Sequence, residues 1–169
     1  RRGGNSTQKS EWLSPLISGK LQATLAFAEP QARYDIANIA TTAVRDGESF
    51  VINGLKGYVL NGGNAKLLII PARTGGSQGD ERGITLFGIA ADTAGVSIQS
   101  YDTIDGQCAA EIQLTNVSLT TASVIGEVDE GFQTLRSTIA DATFAVSAEA
   151  VGIMNVLTEK TIAYTKSRF

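Results

Sequence analysis

The 169-residue sequence predicts a mainly β fold, an antiparallel barrel or sandwich with a short helix before it and one long helix after it. Three observations carry that expectation. Short β-type runs fill residues 21 to 118, turn-forming Gly and Asn clusters punctuate them, and a proline-free stretch of helical periodicity runs from about Asp129 to Lys166.

In chain order, Gln8 to Leu13 predict a short helix, ended by a turn at Ser14-Pro15 and a stop at Gly19. The candidate strands cover 23–29, 37–44, 50–52, 58–60, 67–72, 84–89, 96–101 and 111–114. Asp46-Gly47, Asn53-Gly54, Asn61-Gly62-Gly63 and Gly75-Gly76 are expected to turn the chain between them, because Gly and Asn reach positive φ cheaply. Gly75 to Arg82, with three glycines and mixed charge, predicts a solvated, mobile loop.

In the C-terminal stretch, Phe132, Leu135, Ile139, Ala142, Val146, Ile153 and Leu157 trace one stripe. Phe144, Ala145, Ala148 and Val151 widen it over much of the circumference. A helix apolar nearly all round has to be buried by something. One sheet face covers one side, so a partner subunit or a further domain is expected on the other. Glu149, inside that face, is expected to meet a neighbouring helix.

Composition narrows the function classes. With 43% hydrophobic and 18% charged residues the chain is globular, and its length suits one domain plus an attached element. A net charge of −3 argues against a nucleic-acid footprint. No run of eighteen apolar residues occurs and Arg1-Arg2-Gly3-Gly4 precedes no apolar leader, so neither a membrane span nor secretion is expected. A lone Cys108, expected to be small and buried, fits a reducing compartment; the cytoplasm is the expected location. Without histidine, Ser-His-Asp, Cys-His and His-ligated metal sites are impossible within the chain, and one cysteine cannot build a thiolate zinc site. Neither a G-x-G-x-x-G fingerprint nor a P-loop is present. Asp102, Asp105 and Glu111 flank a Gly turn and are expected to face solvent.

Five segments occur in a telling order. They are Gln8-Lys9 with Trp12-Leu13-Ser14-Pro15-Leu16, Leu25 to Asp35, Asn53 to Gly63, Gly126 with Gly131-Phe132, and Tyr164-Thr165-Lys166-Ser167-Arg168. Together they resemble the acyl-CoA dehydrogenase family over nearly the whole chain. Within that family, Ala28-Glu29-Pro30-Gln31-Ala32-Arg33-Tyr34-Asp35 is most similar to the small subunit of pimeloyl-CoA dehydrogenases. The resemblance implies that residues 1–20 end an N-terminal helical domain and that 21–120 are a middle β-barrel. Residues 121–169 would then be a linker and the first helix of a C-terminal helical domain, with FAD held between barrel and helices. It further implies α,β-dehydrogenation of an acyl-CoA thioester, pimeloyl-CoA being a dicarboxylyl candidate. In the family a glutamate removes the α-proton, the β-hydrogen leaves as hydride to flavin N5, and electrons pass on to an electron-transfer acceptor. No residue here matches that glutamate, and the chain stops at Phe169 inside a motif that family members continue. A piece of a longer protein, inactive by itself, is therefore expected.

By the same resemblance Phe27 and Ala28 form one flavin wall, and Tyr58, Val59 and Leu60 the second. Family members carry threonine hydroxyls where Ala28 and Leu60 stand; Ala28 keeps its backbone N–H. Each net hydrogen bond is worth roughly 0.5–1.5 kcal/mol, so FAD is expected to bind more weakly or with an altered potential. Taken alone, Phe27 and Tyr58 read equally as barrel core. Arg168 matches an arginine that reaches the FAD pyrophosphate of a neighbouring subunit, a role its planar fork suits, and a homo- or hetero-oligomer through the long helix is implied. Arg33 and Tyr34 stand where the family has Gly-Ser, whose serine contacts the acyl-CoA. Arg33 reads either as a surface ion pair with Asp35 or as the holder of a CoA phosphate or a far carboxylate. Two other readings stand beside the enzyme: a non-catalytic partner subunit of a heteromeric acyl-CoA dehydrogenase with its flavin site eroded at Ala28 and Leu60, and an unrelated barrel binding module.

Overall fold

The structure, a computed structural model, describes residues 3–168; Arg1, Arg2 and Phe169, and the expectations attached to them, lie outside the described residues. Helix α1 (Ser6–Ile17) starts from a reciprocal cap. Asn5 Oδ1 accepts from the Gln8 N–H at 2.8 Å, and Gln8 Oε1 accepts from the Asn5 N–H at 3.1 Å. The Gln8 amide also donates to the carbonyls of Ala122 and Val124, at 3.0 and 2.8 Å, docking α1 beside the last strand. Pro15, expected to end the helix, instead lies inside it. Its missing N–H falls in the final turn, where one lost donor is tolerable, and the stop comes at Gly19 as expected. There the Lys20 N–H reaches Pro15 O (2.9 Å) and the Gly19 N–H reaches Leu16 O (3.2 Å), with Gly19 at φ +73°.

Eight strands follow: β1 (Ala23–Leu25), β2 (Thr42–Asp46), β3 (Ser49–Leu60), β4 (Leu67–Arg73), β5 (Ile84–Ala90), β6 (Val96–Asp102), β7 (Cys108–Thr120) and β8 (Val124–Ile125). They form one sheet in the order β6-β7-β3-β2-β4-β5-β8, with β1 added parallel to β4. The other ladders are antiparallel, apart from a single parallel link between Thr42 and Arg73. The predicted fold class is thus the observed one, a mostly antiparallel sheet between a short and a long helix. The sheet curls round a single core. Phe50 of β3 and Phe87 of β5, separated in strand order by β2 and β4, meet edge to face at 5.3 Å. Ile52, Leu68, Ile70, Ile89, Ile112 and Leu114 fill the space around them, each worth about 1.5–3 kcal/mol of burial. Strands β4 and β5 are buried along nearly their whole length and read as continuous apolar runs. Trp12 of α1 covers part of β5; a Cβ on Gly88 would lie 2.5 Å from its ring, so the indole needs a glycine there.

Four expectations are corrected by the backbone. Asn53-Gly54 does not turn the chain, and segments 50–52 and 58–60 are halves of one strand, β3. The irregularity sits instead on β7, where Asn116 takes φ +50° and its N–H bonds Asn53 Oδ1 at 2.8 Å. Residues 37–41 form no ladder because carboxylates take their amides: Asp35 that of Ala37, and Glu29 those of Ala40 and Thr41. The expected strand 111–114 is the middle of the longer β7, and β8 was not foreseen, being two residues long. The segment 74–83 has the exposed side chains expected of a solvated loop, but Arg73 anchors its backbone. All five guanidinium donors reach main-chain carbonyls, those of Ala37, Ile39, Gly75, Asp80 and Arg82.

The chain divides into two compact units, Arg1–Leu135 and Arg136–Phe169, and helix α2 (Gly131–Ser167) runs through the boundary. In the first unit Phe132 and Leu135 are buried. In the second, every residue from Ala140 to Arg168 is exposed, Phe144 to 79% and Val146 to 64%. The apolar surface expected to need a cover is therefore presented to the outside. Although eighteen consecutive apolar residues are lacking, α2 is long and apolar enough to cross a membrane by length and composition, with a mean hydropathy of 1.3 over eighteen residues.

Candidate functional site

The site is built outward from a buried charge. Lys56 faces inward on β3, in step with Phe50, Ile52 and Gly54, and has no accessible surface. An unpaired ammonium there would be costly. Its Nζ lies 2.6 Å from Glu29 Oε1 and donates to Pro71 O at 2.7 Å. Pro71 has no N–H to place, and it falls between the β1 pairing of β4, which ends at Ile69, and the β2 link at Arg73. Glu29 is held in turn by the Gln31 side chain (2.7 Å) and by the N–H groups of Ala40 (2.8 Å) and Thr41 (3.2 Å). Burial pulls the Lys56 ammonium down from 10.5 to about 8, with Glu29 opposing. Burial pushes the Glu29 carboxyl up, but the charge and hydrogen bond of Lys56, with the hydrogen bonds from Thr41 and Gln31, together outweigh it and the net shift is downward.

The residues flanking this pair form a rim. Gly57, next to Lys56, donates its N–H to the carbonyl of Ala28, next to Glu29, at 3.0 Å. A Cβ on Gly57 would come within 3.5 Å of the Pro30 ring, and Thr24 Oγ1 donates to Leu60 O at 2.6 Å. Residues 24–30 therefore run along residues 57–60. Against β7 the register slips between Lys56–Ile112 and Val59–Ala110, so Gly57 and Tyr58 together face Glu111. This β-bulge sets Tyr58 at φ +50°. It lets Lys56 and Val59 both point inward while Tyr58 is left 57% exposed and Leu60 55% exposed.

The two predicted walls are thus neighbours in space. Phe27 and Ala28 are half-buried beside exposed Tyr58 and Leu60. The side chain of Val59 packs in the core, and its backbone is engaged too, paired with Ala110 in the β3–β7 ladder and accepting from the Gly62 N–H at 3.0 Å. Among the described residues no protein acceptor takes the Ala28 N–H. The rim offers aromatic and aliphatic surface and a main-chain donor, with the charged pair behind it. It suits the binding and orientation of a planar group. It carries no carboxylate, imidazole or thiol for proton transfer.

The other predicted residues lie elsewhere. Arg33, at φ +51°, and the fully exposed Tyr34 sit in the turn after Pro30. The expected Arg33–Asp35 ion pair is not formed; Asp35 Oδ1 accepts from the Ala37 N–H at 3.0 Å instead. Arg168 belongs to the second unit, its guanidinium 5.4 Å from the Tyr164 ring centroid. Cys108 is half-buried and not disulfide-bonded. Asp105 is exposed as expected, its carboxyl held low by the Thr103 hydroxyl and the Gln107 N–H. Among the described residues no metal-ligating cluster occurs. The Glu29–Lys56 pair is not foreseen from sequence, where Glu29-Pro30 reads as a common turn; the available signal is a lysine two and four residues on from inward Gly54 and Ile52.

The family model of the acyl-CoA dehydrogenase middle domain matches residues 24–117, which contain the whole rim. The chain is 32% identical over 168 residues to the probable acyl-CoA dehydrogenase YngJ of Bacillus subtilis, covering 98% of this chain and 44% of that protein. Among solved structures, the FAD complex of PigA superposes with a TM-score of 0.76 at 28% identity, over 80% of this chain and 36% of that one. The ChsE4–ChsE5 complex from Mycobacterium tuberculosis gives 0.74 at 28% identity, over 81% and 35%. The chain spans less than half the length of these proteins. With more than half of its residues matched, it belongs to the acyl-CoA dehydrogenase family and carries that family's middle β-domain.

Proposed function

We propose that this chain is part of an FAD-dependent acyl-CoA dehydrogenase that introduces an α,β double bond into an acyl-CoA thioester. The observation that carries the reading is the hydrogen bond from Gly57 to Ala28, which brings the two expected ring walls edge to edge. When bound, FAD supplies the acceptor for the substrate's β-hydride. The residues of this chain bind and orient: Phe27 and Tyr58 by ring surface, Ala28 by its N–H, Leu60 by apolar contact, and Val59 by the core packing that seats its two neighbours. Arg168 holds the pyrophosphate of a neighbouring subunit, and the catalytic glutamate is not among these residues. Residues 1–20, 21–120 and 121–169 take the roles of helical-domain end, barrel, and linker with first bundle helix. The exposed face of α2 is then a bundle and oligomer surface. Asp141, Glu149, Glu159 and Lys160 along it suit such a bundle better than lipid. The whole protein is placed in the cytoplasm, where acyl-CoA and a free Cys108 are both at home.

In the full-length protein that contains this chain, flavin absorbance should be present and should bleach on adding acyl-CoA thioesters. A protein that copurifies with no flavin and takes up none would overturn the reading. The missing hydroxyls at Ala28 and Leu60 favour a second reading, a non-catalytic subunit that pairs with a catalytic partner; in that case flavin appears only when the partner is added.

Among the described residues Arg33 has no ion-pair partner, and it is exposed, so it is assigned to an anionic group of the substrate, the far carboxylate of a dicarboxylyl-CoA such as pimeloyl-CoA. Arg33→Ala should lower kcat/KM for dicarboxylyl substrates about tenfold or more, the worth of one charged hydrogen bond, and spare monocarboxylyl ones. Equal losses on both would reject this assignment.

A further inference from the structure

We propose that Lys56 is a positioning residue: by pairing with Glu29 it fixes the Phe27–Ala28 segment against the Gly57–Tyr58 bulge, and so sets the geometry of the ring-binding rim. The inference rests on the flavin reading above and deepens it. Lys56 and Glu29 lie behind the rim, almost fully buried, and touch no solvent-facing surface through which they could meet a ligand. Yet each is one residue from an atom of the bond that joins the walls, Ala28 O and Gly57 N. The ion pair and that hydrogen bond close a small ring across the two segments.

Little else holds the first segment. Its ladder with β4 ends at Leu25, with one further bond from the Ala26 N–H to Ile69 O at 2.9 Å. From Phe27 to Gln31 the chain is secured by the Gly57 contact, by a longer bond from the Gln31 side chain to Asn38 O at 3.3 Å, and by what Glu29 gathers: Lys56, Gln31, and the amides of Ala40 and Thr41. The backbone carbonyl of Glu29 also accepts from the Ala32 N–H at 3.0 Å, starting the turn that carries Arg33 and Tyr34. The second segment is under strain, since a tyrosine at φ +50° persists only where its surroundings over-determine it. Lys56, locked to both Glu29 and Pro71 O, fixes the residue just before that bulge.

The test uses the full-length protein carrying Glu29→Gln with Lys56→Met, which removes both charges, roughly keeps volume, and leaves an acceptor for the Ala40 and Thr41 amides. Backbone amide exchange of Gly57 is compared with that of Leu68 and Ile112, in the core ladders. Gly57 should exchange at least tenfold faster while the core amides keep their rates, and the FAD dissociation constant should rise at least tenfold. Glu29→Gln alone, in which Lys56 keeps its bond to Pro71, is the second variant and should shift both readings in the same direction. Gly57 protection that merely follows the core amides, or an unchanged FAD affinity, overturns the proposal. If the unsubstituted protein binds no FAD, it is the flavin reading that fails, and the exchange measurement alone decides whether the pair positions the rim.

Discussion

Replacing Lys56 with methionine is expected to destabilise the protein by about 3–5 kcal/mol, because it leaves the Glu29 carboxylate buried without its cation. Glu29→Gln should cost a similar amount by stranding the ammonium. The double substitution should cost less than either single one, since glutamine still accepts from the amides of Ala40 and Thr41 and neither member of the pair is left charged without the other. Urea denaturation of the four proteins measures the coupling directly; additive costs would show that the pair is not an energetic unit. The pH dependence has a sign on each side. The folded chain holds its Glu29 proton less tightly than the unfolded one, so stability falls as acid protonates that carboxylate below its ordinary 4.5. At the alkaline end the folded chain releases the Lys56 proton near 8, whereas the unfolded chain keeps it until 10.5. The folded state then binds fewer protons, and the contribution of this group to stability rises with pH across that window. The double variant should lose both effects.

Gly54→Ala is expected to cost about 3 kcal/mol or more, because the new methyl meets the Thr41 main chain as well as its side chain, so a rotamer change alone gives no relief. A Cβ at Gly54 would lie 2.7 Å from the Cα of Thr41, a separation that real contacts do not show. Relief requires moving Thr41, and the Thr41 N–H is one of the donors to Glu29, so the disturbance passes into the buried pair. A melting temperature lowered by about 10 °C would accord with a domain of this size. A variant melting within a degree or two of the parent would show that residues 40–42 can yield, contrary to the tight crossing described. Gly57→Ala provides the contrast, since a Cβ there meets Pro30 at an ordinary 3.5 Å.

The motif Asn53-Gly54-Leu55-Lys56 shows how much was legible in the sequence. Its residues read as a turn, and turn chemistry is indeed what Asn and Gly supply, yet here they serve a continuous strand. Asn53 caps the bulge on β7, Gly54 admits Thr41, and Lys56 neutralises Glu29. Each role depends on a partner distant in sequence, at 116, 41 or 29, which local patterning does not reveal. Strands 67–72, 84–89 and 96–101 were readable within a residue or so at either end because their apolar runs and flanking glycines agree with one another. Of the expected strand 37–44, residues 42–44 lie in β2, while 37–41 misled because Ile and Thr favour a strand that side-chain carboxylates then outcompete. Around the rim, family likeness assigned Phe27 and Tyr58 to two walls, and the Gly57–Ala28 bond sets the segments that carry them side by side. The bulge that turns Tyr58 outward could not be read, since it is a property of the β3–β7 register and leaves no mark in composition.

Arg73 addresses its neighbours solely through main-chain oxygens. Such hydrogen bonds do not depend on what side chains residues 37, 39, 75 and 82 bear, although the Asp80 carboxylate adds its charge to the anchor. A residue such as Arg82 can therefore change its side chain while its carbonyl still serves the anchor, whereas Gly83, where a Cβ would lie 2.0 Å from Gly75 O, cannot.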